Sequence, residues 1–245
     1  MKTKAVFNWS SGKDSALALY KVIQNQEFEI TCLLTSVNQE FQRISMHGVR
    51  VALLKQQAQS IGLSLEIMQI PEMPSMDAYE DVMNETLTKL ENQGNTYSIF
   101  GDIFLEDLRK YREYQLEKLG MKAVFPLWKT PSIDLIQQFI TLGFKTIVVC
   151  VNEQFLDKSF LGRIIDQDFI NDLPESVDVC GENGEFHTFT FDGPIFSKPI
   201  LFDIGDIVYR KYQGPKQEKS SNTNCEIGIF DPFKFGFWYL DLKPK

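Results

Sequence analysis

Residues 4–16 read Lys4-Ala5-Val6-Phe7-Asn8-Trp9-Ser10-Ser11-Gly12-Lys13-Asp14-Ser15-Ala16. An apolar run of strand length meets a small polar loop. Beyond it, Leu17, Leu19, Tyr20 and Ile23 can share one face of a helix over 16–25. A strand that passes through such a loop into a helix suits a polyphosphate. Gly12 permits close backbone approach, and Ser10, Ser11 and Ser15 offer hydroxyl donors. The helix turns its free N–H groups and positive dipole end toward the loop, and Lys13 adds a point charge. Asp14 is unwelcome against bare phosphate, so it is expected to act through Mg²⁺ or by ordering the loop.

Two familiar phosphate motifs are excluded. A Walker loop would place its first glycine at 7, which is Phe7, and Asp14 stands where its Ser or Thr belongs. A dinucleotide fingerprint needs spaced glycines, of which only Gly12 is present.

Further along, strands are predicted at 29–37, 63–70, 97–100, 122–125 and 146–151, and helices at 49–61, 76–93, 106–119 and 133–142. The strands are near-continuous apolar runs rather than alternating ones, which fits a parallel sheet covered on both faces. Right-handed crossovers then give a doubly wound, Rossmann-like α/β fold, with ligands beyond the carboxyl ends of the strands. After about 152 the pattern changes. A helix is expected within 162–173, a Gly/Asp/Glu-rich stretch at 177–194, a strand or hairpin at 200–212 and a polar, mobile loop at 214–224. The aromatic tail, with Phe230, Phe233, Phe235, Phe237, Trp238 and Tyr239, is expected to pack back on the domain. The expected organisation is a nucleotide domain over 1–152 and a smaller C-terminal α+β substrate region over 153–245.

With 245 residues and 43% hydrophobic content the chain can bury a substantial core. The net charge of −8 and pI near 4.9 argue against nucleic-acid binding through a broad basic face. No apolar run approaches the roughly 20 residues of a membrane span, and the N-terminus is too short for a signal peptide, so a cytoplasmic protein is expected. Cys32, Cys150, Cys180 and Cys225 form no C-x-x-C pair and read as buried thiols. Two histidines are too few for a His-rich metal site.

Other candidates sit at strand ends and in one acidic turn. Ser36 ends the second strand and is positioned to touch adenine or ribose. Gly101-Asp102 ends the fourth. Arg109 and Arg112 share a helical face and could hold a phosphate or carboxylate; the alternative is a solvated charged face. Pro126-Leu127-Trp128 reads as packing. In Cys180-Gly181-Glu182-Asn183-Gly184-Glu185-Phe186-His187-Thr188, the carboxylates of Glu182 and Glu185 could bind ammonium, act as a base or hold Mg²⁺, or form a solvated turn. His187 could orient a substrate or serve as a structural donor.

The loop at 10–15 resembles the S-G-G-K-D-S loop of the N-type ATP pyrophosphatases, the PP-loop enzymes, with Ser11 in place of the first glycine. Together with Gly101-Asp102-Ile103, Arg109, Arg112, Leu119-Gly120, Pro126-Leu127-Trp128, the Gly-Glu-x-Gly-Glu-[Phe/Tyr]-x-Thr element and Asp192-Gly193-Pro194, it resembles the diphthine–ammonia ligase family over about 4–210. The resemblance implies ATP as cosubstrate and Mg²⁺ as cofactor. It implies adenylation of a carboxylate with release of pyrophosphate, then attack by ammonia and release of AMP. It further implies Ser10, Ser11, Gly12, Lys13, Asp14, Ser15, Ser36, Gly101 and Asp102 around the nucleotide, and Lys13, Asp14, Glu182, Glu185 and His187 in catalysis. Arg109, Arg112, Asn183, Gly184 and Thr188 would face the substrate. His47-Gly48-Val49-Arg50 looks like the bacterial branch of the family. Bacteria are not expected to make diphthamide, so His47 and Arg50 are assigned to reading a different acceptor, a protein side chain or a small carboxylate. A homodimer is left open. The competing readings are a PP-loop enzyme acting on tRNA or another small molecule, and an ATP-binding sensor without turnover.

Overall fold

The structure, a computed structural model, describes residues 2–72, 75–211 and 236–245. The opening stretch forms β1 (Thr3–Asn8) and α1 (Lys13–Asn25). The helix buries Ala16, Leu17, Ala18, Leu19 and Val22, and stops where Gln26 turns left-handed. Then come β2 (Phe28–Asn38), a short β3 (Arg43–Ile44), α2 (Val51–Ile61), β4 (Ser64–Ile70), α3 (Met76–Asn92), β5 (Tyr97–Ile99), α4 (Glu106–Glu117) and β6 (Lys122–Val124). Gly62 ends α2 with φ 82, the stop that its glycine predicts.

The parallel strands lie in the order β4-β2-β1-β5-β6, with β3 added antiparallel to the end of β2. The chain therefore winds outward on one side of β1 and then on the other. The switch point falls between β1 and β5, where open α/β sheets bind ligands. One face of this sheet packs α1 and α2, and the other packs α3 and α4 through Leu87, Leu90 and Leu116 against Val6, Leu34 and Met68. The doubly wound parallel sheet expected from sequence is thus present.

A helix α5 (Ser132–Thr141) leads to β7 (Lys145–Asn152). At sequence level this strand continued the parallel sheet. In the structure it lies inside a second, antiparallel sheet of order β8-β7-β10-β9, built with β8 (Phe186–Asp192), β9 (Phe202–Lys211) and β10 (Gly236–Pro244). The misreading has a physical cause. β7 is central and buried along nearly its whole length, so it carries the unbroken apolar run that usually marks a parallel strand. The helix expected within 162–173 contracts to α6 (Gln167–Asp172), because Ile164 is drawn into a bridge with Ile147.

Phe237, Trp238 and Tyr239 pack back as expected, in the strand between β7 and β9. The loop expected at 214–224, Cys225, Phe230, Phe233 and Phe235 lie outside the described residues. One apolar core runs through both sheets, from Phe7, Leu33 and Leu53 to Val149, Phe169, Phe189 and Leu240.

Candidate active site

The phosphate loop is shaped more by its neighbours than by itself. Gly12 occupies the N-cap of α1, and no side chain caps the helix locally. Instead Thr188 on β8 reaches across, its Oγ1 accepting from the Lys13 N–H at 3.0 Å. The Thr190 N–H donates to the Ser11 carbonyl at 2.9 Å, and Gln57 on α2 donates to the Ser11 and Thr190 carbonyls. Ser10, Ser15 and the Gly12 backbone close a small hydroxyl network.

Ser11 has φ 72, in the left-handed region that favours glycine. Its hydroxyl is buried and meets no hydrogen-bond partner among the described residues. Gly12 is required for a different reason. Its φ of −89 suits any residue, but a Cβ there would stand 2.8 Å from His47 Cε1 and 3.2 Å from the Thr188 carbonyl. Gly101, at the end of β5, is equally crowded: a Cβ would fall 3.0 Å from the Ser15 nitrogen. The ends of β1 and β5 thus meet across bare backbone at the switch point.

Lys13 is buried and ion-pairs with Asp14 at 2.7 Å; its ammonium also donates to the Cys180 carbonyl and lies 5.5 Å from the Phe186 ring centroid. Burial works against its charge, but Asp14, Cys180 and Glu182 outweigh burial and leave its pKa raised. Burial also raises the Asp14 carboxyl, against the pull of Lys13. Among the described residues no three His, Cys, Asp or Glu side chains converge as metal ligands.

Glu182 crosses the seam between the sheets, and its Oε1 accepts from the Ile103 N–H at 2.8 Å. Burial, reinforced by the nearby Asp14 charge, pushes its carboxyl up to about 7, despite the Ile103 N–H and Lys13. Glu185 behaves differently. It is buried, its Oε1 accepts from Asp178 N and Asn183 Nδ2, and it braces the turn. Gly184 supplies that turn with φ 82. Asp178, which sequence reading passed over, accepts from the N–H groups of Cys180 and Glu182 and so sets the loop carrying Glu182. Its signal was an Asp two residues before the cysteine, the spacing of a side-chain turn. Cys180 is buried, and burial raises its thiol.

The chain's two histidines meet here. Their rings stand 4.7 Å apart at 34°. His47 Nδ1 lies 3.0 Å from the Thr188 carbonyl, which only accepts, so that nitrogen carries the proton. Burial, aided by the Lys13 charge, lowers His47 to about 4, although the bond to Thr188 opposes it. Burial, then His47 and Lys13, hold His187 well below its ordinary value. Ser36 lies at the carboxyl end of β2, and its carbonyl accepts from Ser45 N, steadying the loop that presents His47.

The arginines are each held by an acidic partner. Arg112 pairs with Asp102 at 3.1 Å and covers Phe100; burial raises Asp102 while Arg112 pulls it down. Arg109 bonds Glu113 and lies 4.6 Å from the Trp128 ring centroid. Arg50 is not brought to the phosphate loop. It holds Asp241 of β10 with two bonds, and Arg43 holds the same carboxylate. No helix among the described residues is long and apolar enough to cross a membrane.

The family profile described as diphthamide synthase N-terminal domain matches residues 1–123, and the diphthamide synthase C-terminal domain matches 131–221. The human diphthine–ammonia ligase is 29% identical over 153 residues, 60% of this chain and 57% of that protein. The Bos taurus protein of the same name is 31% identical, over 54% of this chain and 51% of that one. The chain spans about half the length of these curated relatives. Among solved structures, the U34-tRNA thiolase NcsA from Methanococcus maripaludis with its [4Fe-4S] cluster is 14% identical to this chain, with 58% of each chain covered and a TM-score of 0.36.

Proposed function

The chain belongs to the diphthamide synthase family, and from that premise we propose that it is an ATP-dependent ligase that converts a carboxylate to an amide with ammonia. The observation that carries the reading is Glu182, a half-buried carboxyl held by the Ile103 N–H beside the phosphate loop at the switch point and pushed up to about 7.

The phosphate chain of ATP would lie against the loop at 10–15, with the N-terminal N–H groups of α1 beyond the Lys13 N–H that Thr188 holds as donors, and with the Ser10–Ser15 hydroxyl pair holding the loop in shape. Lys13, kept charged by Asp14, supplies a fixed positive field behind the loop rather than a mobile finger. A carboxylate oxygen of the acceptor attacks the α-phosphorus. The bond to the bridging oxygen breaks, and its electron pair leaves with pyrophosphate. Ammonia then forms a bond to the acyl carbon, the bond to AMP breaks, and the proton released from nitrogen passes to Glu182. A group near 7 is suited to accept that proton and return it to solvent. Magnesium would arrive with the nucleotide. Asp14, which pairs with Lys13 through one carboxylate oxygen, would be the residue to meet that magnesium, which would supply charge neutralisation at the phosphates. The acceptor is a protein side chain or a small carboxylate, taken up by the C-terminal region over 153–245, while the region over 1–152 holds the nucleotide.

The test is incubation with ATP, ammonium and candidate carboxylates, with nucleotide products resolved by ³¹P NMR. AMP and pyrophosphate are expected; ADP and orthophosphate would sink the reading.

A further inference from the structure

Neither the ligase chemistry nor the packing accounts for the two imidazoles over the phosphate loop. His47 is fixed by its Nδ1–H bond to the Thr188 carbonyl, which leaves Nε2 as an unprotonated acceptor. His187 Nε2 is buried and meets no partner among the described residues. A buried polar atom without a partner calls for a ligand, an ordered water or strain. The pair is anchored to the loop: His47 Cε1 would meet a Cβ on Gly12 at 2.8 Å, and Thr188, which holds His47, also holds Lys13 N. The loop bearing His47 comes from the parallel sheet and the strand bearing His187 from the antiparallel one, so the pair exists only where the two meet.

Building on the ligase reading, we propose that the His47–His187 pair is the ammonia subsite, taking the nitrogen nucleophile as its uncharged free base. Ammonia offers N–H donors to imidazole nitrogens and keeps its lone pair for attack on an acyl carbon. His47 Nε2 presents an acceptor, His187 Nε2 is a second ring nitrogen without a partner among the described residues, neither ring carries charge, and the Lys13 ammonium nearby disfavours a second cation, so the site selects NH₃ over NH₄⁺ or a metal ion. This departs from the reading in which Glu182 or Glu185 binds ammonium: Glu182 Oε1 accepts from the Ile103 N–H, and Glu185 is anchored through Oε1 by Asp178 N and Asn183, with its Oε2 buried and without a partner among the described residues. Glu182 remains the proton acceptor.

The chain has only two histidines, so a long-range ¹H–¹⁵N spectrum of the full protein contains only these two imidazoles. Titration with ammonium chloride, against potassium chloride at matched ionic strength and pH, is expected to shift His187 Nε2 saturably with ammonium alone. An identical response to both salts would mean an ordered water only and would overturn the subsite. His187→Phe, which keeps a flat ring and removes the unpartnered ring nitrogen, is expected to raise KM for ammonium at least tenfold with KM for ATP unchanged. An unchanged KM for ammonium would overturn the subsite as well. If that variant does not fold, the wild-type titration decides alone. Pyrophosphate release separates the two claims. Release without an ammonium-specific histidine shift removes the subsite and leaves the ligase, whereas a specific shift without release in the presence of ATP and carboxylates removes the ligase.

Discussion

The Ile103 N–H and Glu182 Oε1, 2.8 Å apart, join the end of the parallel sheet to the acidic turn that leads into β8. The bond fixes a carboxyl near 7 beside the phosphate loop. Glu182→Gln keeps an acceptor for Ile103 and removes the base. A fall in kcat of about 10²-fold or more is expected, with loss of the limb that rises through pH 7. The same variant should be no less stable. A carboxyl raised from its ordinary value to about 7 lowers stability as pH climbs between the two, because the unfolded chain ionises first. Above pH 7 the variant is therefore expected to gain on the order of 2 kcal/mol, read by urea unfolding. A loss of stability together with activity would mean that Glu182 is only structural.

Ser11→Gly tests the strained loop. The serine occupies a left-handed conformation and buries an unpaired hydroxyl. Relief of both is expected to stabilise the protein by about 1 kcal/mol, offset in part by the freer unfolded chain. That corresponds to a rise in Tm of about 2–4 °C. An unchanged or lowered Tm contradicts the assignment of strain.

Gly12→Ala should damage the loop through contact rather than conformation, since its φ is ordinary. The added Cβ meets His47 first. ATP affinity, measured by calorimetry, is expected to fall at least tenfold. Combining it with His47→Ala should restore part of the loss, and the absence of any rescue would place the clash elsewhere.

Acid should loosen the histidine pair. His47 is held at about 4, below its ordinary 6.5. As pH falls through that window the unfolded chain takes up a proton that the folded one refuses, so stability declines below about 6.5 and levels off below about 4. The His47 share is on the order of 3 kcal/mol. His47→Asn should flatten this part of the pH–stability curve, and a curve identical to wild type would contradict burial of a neutral imidazole.

Arg50 is expected to act on stability rather than on substrate. Asp241→Asn removes the shared partner of Arg43 and Arg50, and about 1–2 kcal/mol of stability should go with it, the arginines being partly exposed. Arg50→Ala should leave KM for the acceptor carboxylate unchanged, and a raised KM would return Arg50 to the acceptor site.

Much of the fold was legible because periodicity is local. The apolar runs and glycine stops located β1, α2 and β4 to within a few residues. The membership of β7 was not legible, since a central antiparallel strand and a parallel one show the same unbroken burial. The short β3 has too few residues to carry a period. Within the site, the phosphate loop could be read from its own chemistry, but the meeting of His47 with His187, and of Arg50 with Asp241, depends on packing between distant segments. Nothing near Arg50 in sequence indicated that its partner lies on the last strand.

The most direct test of the ligase reading follows an oxygen atom. Candidate carboxylates labelled with ¹⁸O are supplied with ATP and ammonium, and the nucleotide product is analysed by mass spectrometry. Adenylation requires one acceptor oxygen to leave on AMP, so ¹⁸O-labelled AMP in step with amide formation is the expected result. Label appearing in orthophosphate with ADP, or amide formed beside unlabelled AMP, would contradict it.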